Sequence, residues 1–321
     1  MNHNGSLELA LELVRQARCA GADGVKFQTF RADRLASVRS PRAPYQGSGD
    51  QLRMLQALEL SGKAFGILRD RALEEGLEFL STPFDEESAV LLRDLGVGRF
   101  KVSSGDLTNT PLLRTIGSFG LPVILSTGMA RDGEIAEALE ALRGAGAGDL
   151  MLLHCITAYP APPEDLQLLR MADLRERFGL PVGFSDHSLG AEAAPAARAL
   201  GACLIEKHLT LDRSMSGPDH AASADPAGFA EMVRRVRLVE EMLGGPERTY
   251  SAQEMENRRA AHRSVAAARD IAAGAVLARE DLGILRPGTG IPPRHLEELV
   301  GRRASKAIPA GEPIQWDMVL P

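Results

Sequence analysis

Cysteine is scarce in this sequence: Cys19, Cys155 and Cys203 are odd in number and widely spaced. A disulfide framework is excluded, and with no secretory leader in the N-terminal residues the thiols are expected reduced, in a cytoplasmic protein. Long apolar runs are also missing. None approaches the ~20 residues that a membrane-spanning helix needs. Basic residues are not in excess either, with 37 Lys and Arg against 43 Asp and Glu for a net charge of −6. That balance argues against nucleic acid or a membrane surface as partner. An anionic small substrate remains compatible, because positive charge can be concentrated in one cleft.

What is present is ordinary globular material, 44% hydrophobic and 25% charged, enough for a sizeable core. Short apolar runs recur at residues 24–28, 77–81, 99–103, 122–126, 150–155, 181–185 and 202–207. Amphipathic stretches alternate with them at 6–20, 61–75, 86–95, 134–143, 171–178 and 191–200. A last helix opens at Asp225-Pro226, a capping residue followed by proline at the first helical position, and runs to about Leu243. Strands alternating with helices predict a parallel sheet with right-handed crossovers. Gly21, Gly96 and Gly201 each stand between a helix and the next strand, where a positive φ is expected. The fold class is therefore α/β, a (β/α)8 TIM barrel of which seven units are visible. The eighth, the first strand, is expected upstream of Met1. We expect the barrel over residues 1–245, a linker over 246–262 and a compact β-rich module over 263–321, with Arg286-Pro287-Gly288 in one of its turns.

In such a barrel the chemistry sits at the C-terminal ends of the strands. The visible strand ends are polar where core packing would place Val, Leu or Ala. They carry Lys26 and Gln28, then Ser81 and Thr82, then Lys101, Ser103 and Ser104, then Ser126 and Thr127. His154 and Tyr159 follow, then Ser185-Asp186-His187, then Glu206-Lys207-His208. A single histidine at such a place is more often a satisfied core residue than a ligand. Two from consecutive strands, His187 and His208, each near a carboxylate, form a candidate pair for a divalent metal. Strand alternation turns Glu206 and His208 to the same side, so Glu206 can bind a substrate hydroxyl or act as acid or base. Lys207 falls on the other face, as a structural ion-pair residue. Lys26, Lys101, Ser104 and Ser126 offer cations and hydroxyls from three strands, a set suited to phosphate or carboxylate. A Schiff-base role for Lys26 is the competing chemical reading.

These residues lie in segments that resemble the sialic acid synthases, meaning N-acetylneuraminate synthase and its legionaminate and pseudaminate relatives. The matching segments are 2–6 (NHNGS), 21–29 (GADGVKFQT), 79–85 (FLSTPFD), 101–106 (KVSSGD) and 125–129 (LSTGM). Further along come His154-Cys155, Tyr159-Pro160-Ala161-Pro162, 183–188 (GFSDHS), 206–212 (EKHLTLD) and 217–220 (GPDH). The C-terminal module resembles the antifreeze-like (SAF, β-clip) domain of that family.

The resemblance implies condensation of phosphoenolpyruvate with an N-acetylated hexosamine aldehyde, N-acetylmannosamine or a relative, giving a nonulosonic acid and phosphate. It implies that His187 and His208 hold Mn²⁺, with Mg²⁺ or Co²⁺ as substitutes, and that Lys26, Lys101, Ser104, Ser126 and Ser185 hold phosphoenolpyruvate. Gln28, Tyr159 and Glu206 would face the sugar or a water, Thr157 stands where relatives vary, and Arg286 would contact the N-acyl group in a domain-swapped homodimer. In that family a Glu precedes the Asn-His-Asn-Gly motif, which places it upstream of Met1 here. The loop at residues 45–50 lacks the substrate-facing Asn of the family. Three other readings are weighed beside this one. A legionaminate or pseudaminate synthase would use a diacetylated 6-deoxy sugar. A metal-dependent hydrolase would show His-x-His ending an early strand, which Asn2-His3-Asn4 does not supply. A catalytically silent or ice-binding homologue would favour flat Thr-rich surfaces over the arginines at 263, 286, 294, 302 and 303.

Overall fold

The computed structural model describes residues 1–37, 39–42 and 49–321. The part of the 45–50 loop up to residue 48 lies outside the described residues. The chain divides into two compact units, Met1–Gly244 and Gly245–Pro321.

The first unit alternates helix and strand as the apolar runs predict. In chain order it has α1 (Leu7–Cys19), β1 (Gly24–Thr29), α2 (Ala32–Leu35), α3 (Gln51–Leu58), α4 (Gly62–Glu74), β2 (Glu78–Pro83) and α5 (Glu86–Asp94). There follow β3 (Phe100–Val102), α6 (Thr110–Gly117), β4 (Val123–Ser126), α7 (Asp132–Ala145), β5 (Leu150–Cys155) and α8 (Arg170–Phe178). The unit closes with β6 (Val182–Asp186), α9 (Ala193–Ala199), β7 (Ile205–Lys207) and α10 (Pro226–Leu243). Local chemistry fixes the boundaries. Asp225 accepts the Gly228 N–H ahead of Pro226 at the start of α10, and Ser61 caps α4 through the Ala64 N–H. Gly21, Gly96 and Gly201 adopt φ of +83°, +75° and +91° after α1, α5 and α9, turns an L side chain would strain.

The pairings between these strands are parallel: β1 with β2, and β3 through β7 in sequence order. β2 packs beside β3, so the strands curl as a TIM-barrel-like sheet. Among the described residues seven strands form it, and β7 and β1 do not pair with each other. A cavity of ≈ 390 Å³ occupies that side, running from Asn2 and His3 past Lys26 and Glu206 to Met232 and Val233 of α10. Between strands and helices the core is continuous, with Leu68, Leu92, Phe100, Leu113, Ile116 and Phe184 fully buried. Each such side chain contributes about 1.5–3 kcal/mol by burial. Two short helices, α2 and α3, occupy the connection after β1, where the sequence showed no helical pattern.

The second unit holds α11 (Ala252–Ala261), β8 (Ser264–Ala267), β9 (Leu282–Leu285), α12 (Leu296–Leu299), β10 (Arg303–Ala304) and β11 (Val319–Leu320). Its pairings β8–β9 and β10–β11 are antiparallel. α11 buries none of its residues and falls in the segment expected as linker. Val265, Leu277, Ile291, Leu299, Ile308 and Ile314 make the small core.

Candidate active site

Strand register decides which polar residues meet. In a parallel sheet, paired residues point the same way and neighbours along a strand alternate. Cys155 is level with Ser185, and Ser185 with Glu206; Lys26 is level with Leu80, and Gln28 with Thr82. Lys26 and Gln28 are half-buried, while Val25, Phe27 and Thr29, of the opposite parity, are buried. Leu80, Lys101, Ile124 and Glu206 line the same cavity. His154 belongs to the opposite parity. It is level with Phe184 and its Nε2 bonds the Leu166 carbonyl at 2.7 Å, so the structure removes it from the strand-end set the sequence suggested.

Glu206 is the electrostatic centre. Its two carboxylate oxygens lie 3.8 Å from Lys26 Nζ and 3.8 Å from Lys101 Nζ, and the Ser185 hydroxyl donates to Oε1 at 2.8 Å. Burial by itself would raise the carboxyl. The two ammonium groups and the hydroxyl outweigh it and hold the group at about 2. Glu206 is therefore an anion at neutral pH, an acceptor or base and not an acid. Lys101 is almost completely buried. It donates to Ser126 Oγ at 2.6 Å and to the Val102 carbonyl at 3.0 Å, and burial pushes its ammonium below its ordinary value. Ser104 stands just past the end of the same strand, its Oγ 3.2 Å from Cys155 Sγ and accepting the Gly128 N–H at 2.9 Å.

The two imidazoles come together as the sequence suggested. The ring centroids of His187 and His208 are 5.5 Å apart, and Tyr159 packs 4.3 Å from His187 and 5.9 Å from His208. Burial pushes both histidines below their ordinary values, so both are neutral at pH 7. His187 Nδ1 lies 2.7 Å from the Ile156 carbonyl, which can only accept. That bond assigns the ring proton to Nδ1 and leaves a lone pair on Nε2. A neutral imidazole oriented in this way is the donor chemistry a divalent ion takes. No cluster of three or more His, Cys, Asp or Glu donors forms among the described residues, so this chain offers such an ion at most the two imidazoles here.

Behind the pair, Lys207 Nζ donates to Asp186 Oδ2 at 2.6 Å and to the Ser188 carbonyl at 2.8 Å, the ion-pair role its parity implied. Asp219 is a residue the sequence reading passed over. It is buried, Oδ2 lies 3.9 Å from His208 Nδ1, and Oδ1 has no partner among the described residues. Its signal was present in the segment 217–220 but carried no assigned role. Thr82 Oγ1 is likewise buried without a partner among the described residues. Thr157 is exposed, with Oγ1 near the Cα of Gly128. Arg286 belongs to the second unit, exposed ahead of the cis Arg286–Pro287 bond.

The model of the NeuB family matches residues 13–248 and that of the SAF domain residues 262–320. N,N'-diacetyllegionaminic acid synthase of Legionella pneumophila is 44% identical over 99% of this chain and 92% of its own length. The synthase of the same name from Campylobacter jejuni is 43% identical over 95% of this chain and 94% of its own. The crystal structure of N-acetylneuraminic acid synthetase from Leptospira borgpetersenii, in complex with citrate, superposes with a TM-score of 0.72 at 33% identity, covering 80% of this chain and 86% of that one. With a barrel that gathers a half-buried carboxylate, two lysines and two neutral imidazoles at its strand ends, the chain belongs to the NeuB family, alongside the sialic, legionaminic and pseudaminic acid synthases.

Proposed function

We propose that the protein condenses phosphoenolpyruvate with an N-acetylated hexosamine in its open aldehyde form to give a nonulosonic acid and phosphate. The observation that carries this is the ionised Glu206 between Lys26 and Lys101, beside two neutral imidazoles. The two lysines and the Ser104 and Ser126 hydroxyls form a receptor for an anion. The enol carbon of phosphoenolpyruvate attacks the aldehyde carbon, water adds at C2, and phosphate departs with cleavage of the C–O bond. Glu206 accepts a proton from the entering water or a hydrogen bond from a sugar hydroxyl, and Tyr159 packs over the imidazoles at the sugar end. His187 and His208 would hold a divalent ion, Mn²⁺ with Mg²⁺ or Co²⁺ as substitutes, which when bound supplies Lewis-acid polarisation of the aldehyde. A diacetylated 6-deoxy sugar is favoured over N-acetylmannosamine by the names of the two bacterial relatives above 40% identity. A homodimeric state and a cytoplasmic location belong to the same proposal.

The test is phosphate release from phosphoenolpyruvate with Mn²⁺, comparing the diacetylated sugar, N-acetylmannosamine and no sugar. Release that requires the diacetylated sugar supports the reading. A preference for N-acetylmannosamine changes the substrate, and release indifferent to sugar sinks the condensation. His187→Ala should lower turnover by about 10³-fold, the several kcal/mol that Lewis-acid polarisation contributes; undiminished turnover removes the metal assignment.

A further inference from the structure

We propose that the Cys155 thiol is a positioning residue that fixes Ser104 as a hydrogen-bond donor toward the anionic end of the substrate. A hydroxyl has one proton and two lone pairs. One lone pair of Ser104 Oγ accepts the Gly128 N–H at 2.9 Å, and Cys155 Sγ lies 3.2 Å from the same oxygen. With S–H donating to Ser104, both lone pairs are occupied and the only capacity left is the O–H itself. Ser104 then meets a substrate as a donor, the polarity an anion requires. With the thiol deprotonated the direction would reverse, and Ser104 would donate to sulfur. Burial pushes the thiol up, so the S–H is retained at neutral pH.

Backbone shape supports the assignment. A Cβ on Gly128 would stand 2.4 Å from Thr157 Oγ1, 2.8 Å from Cys155 Sγ and 2.9 Å from Ser104 Oγ. Only glycine lets the chain after β4 approach those three polar atoms so closely. The neighbouring hydroxyls repeat the logic with a different outcome. Lys101 donates to Ser126 and leaves that hydroxyl proton available, whereas the Ser185 proton is committed to Glu206. The anionic end of the substrate therefore lies against Ser104 and Ser126, and Ser185 serves the carboxylate.

This inference rests on the phosphoenolpyruvate reading of the site. It is tested by calorimetric titration of the full-length protein with phosphoenolpyruvate, without sugar. Cys155→Ala and the apolar Cys155→Val should each weaken binding about tenfold, the scale of one hydrogen bond to a charged group. Cys155→Ser, which keeps a donor, should stay within about twofold of the wild type on the same scale. In a double-mutant cycle, Cys155→Val should add nothing to the loss caused by Ser104→Ala, because the thiol acts only through that hydroxyl. Val affinity equal to wild type, Ser as weak as Val, or additive losses would each overturn the proposal. A wild-type protein that binds no phosphoenolpyruvate at all would overturn it together with the function it rests on, whereas wild-type binding unchanged in Cys155→Val would sink this inference alone.

Discussion

The barrel unit keeps Lys101, Asp186, His187, Asp219 and His220 out of solvent near its strand ends, while the C-terminal unit buries only Ser264 and Asp281 of its polar residues. The two also differ in how those groups are satisfied. Ser264 donates to the Pro287 carbonyl and accepts the Gly290 N–H, and Asp281 holds Arg269 and the Ala278 N–H; each closes a turn. In the barrel, Asp219 Oδ1 and Thr82 Oγ1 stay without partners among the described residues, and Glu206 is held by two lysines at distances too long for hydrogen bonds. Buried polarity that closes on itself is structural. Buried polarity left without a partner costs free energy that the rest of the fold must offset.

The single tryptophan, Trp316, lies in the C-terminal unit, and most of the helix lies in the barrel. Trp fluorescence and far-UV circular dichroism thus report the two regions separately. The sharpest break is Lys207→Met, which strands Asp186 as a buried uncompensated charge; both side chains of the pair are almost wholly excluded from solvent. The helical transition should lose about 3–5 kcal/mol, and Asp186→Leu added to it should recover much of that. A loss below about 1 kcal/mol would place the pair among solvated surface bridges. Next in size is Leu299→Ala, which cuts the apolar core of the C-terminal unit at a fully buried position. Fluorescence should register about 2–4 kcal/mol, and a smaller shift would mean that the core collapses around the gap.

The smallest effect per group is acid sensitivity. Burial pushes His3, His154 and His220 below their ordinary values, His3 to about 3. Folded values below the unfolded one mean that the unfolded chain binds more protons in the window between them. Stability is then complete above about pH 6.5 and falls with pH toward the folded values, by up to about 1.4 kcal/mol per histidine per pH unit. The metal-free protein should lose helical melting temperature between pH 7 and 5.5, and a flat profile would show that these histidines are hydrated in the folded state.

Much of the site was legible because period two is legible. Lys26 and Gln28, or Glu206 and His208, share a face by counting, and Lys207 was assigned its ion-pair role by the same count. His154 was misread for want of a cross-strand reference: only the register with Phe184 and the bond to the Leu166 carbonyl show that its ring is held by the backbone. Cys155 and Gly128 stood in the matching segments 154–155 and 125–129 but carried no assigned role, since a thiol at a strand end reads as core and a glycine in a turn reads as backbone. Asp219 sits in a loop beyond β7, where no periodicity indicates direction.

By itself the amino-acid order determined the alternation of strand and helix, the glycine turns and the polar strand ends. These follow from local sterics and from a periodicity that each segment carries alone. Only the tertiary structure decided which groups pair across strands: that the Ser185 proton goes to Glu206, that Ser104 meets a thiol, and that His187 presents Nε2. Those choices turn on tenths of an ångström between residues tens of positions apart, and no local pattern encodes such distances.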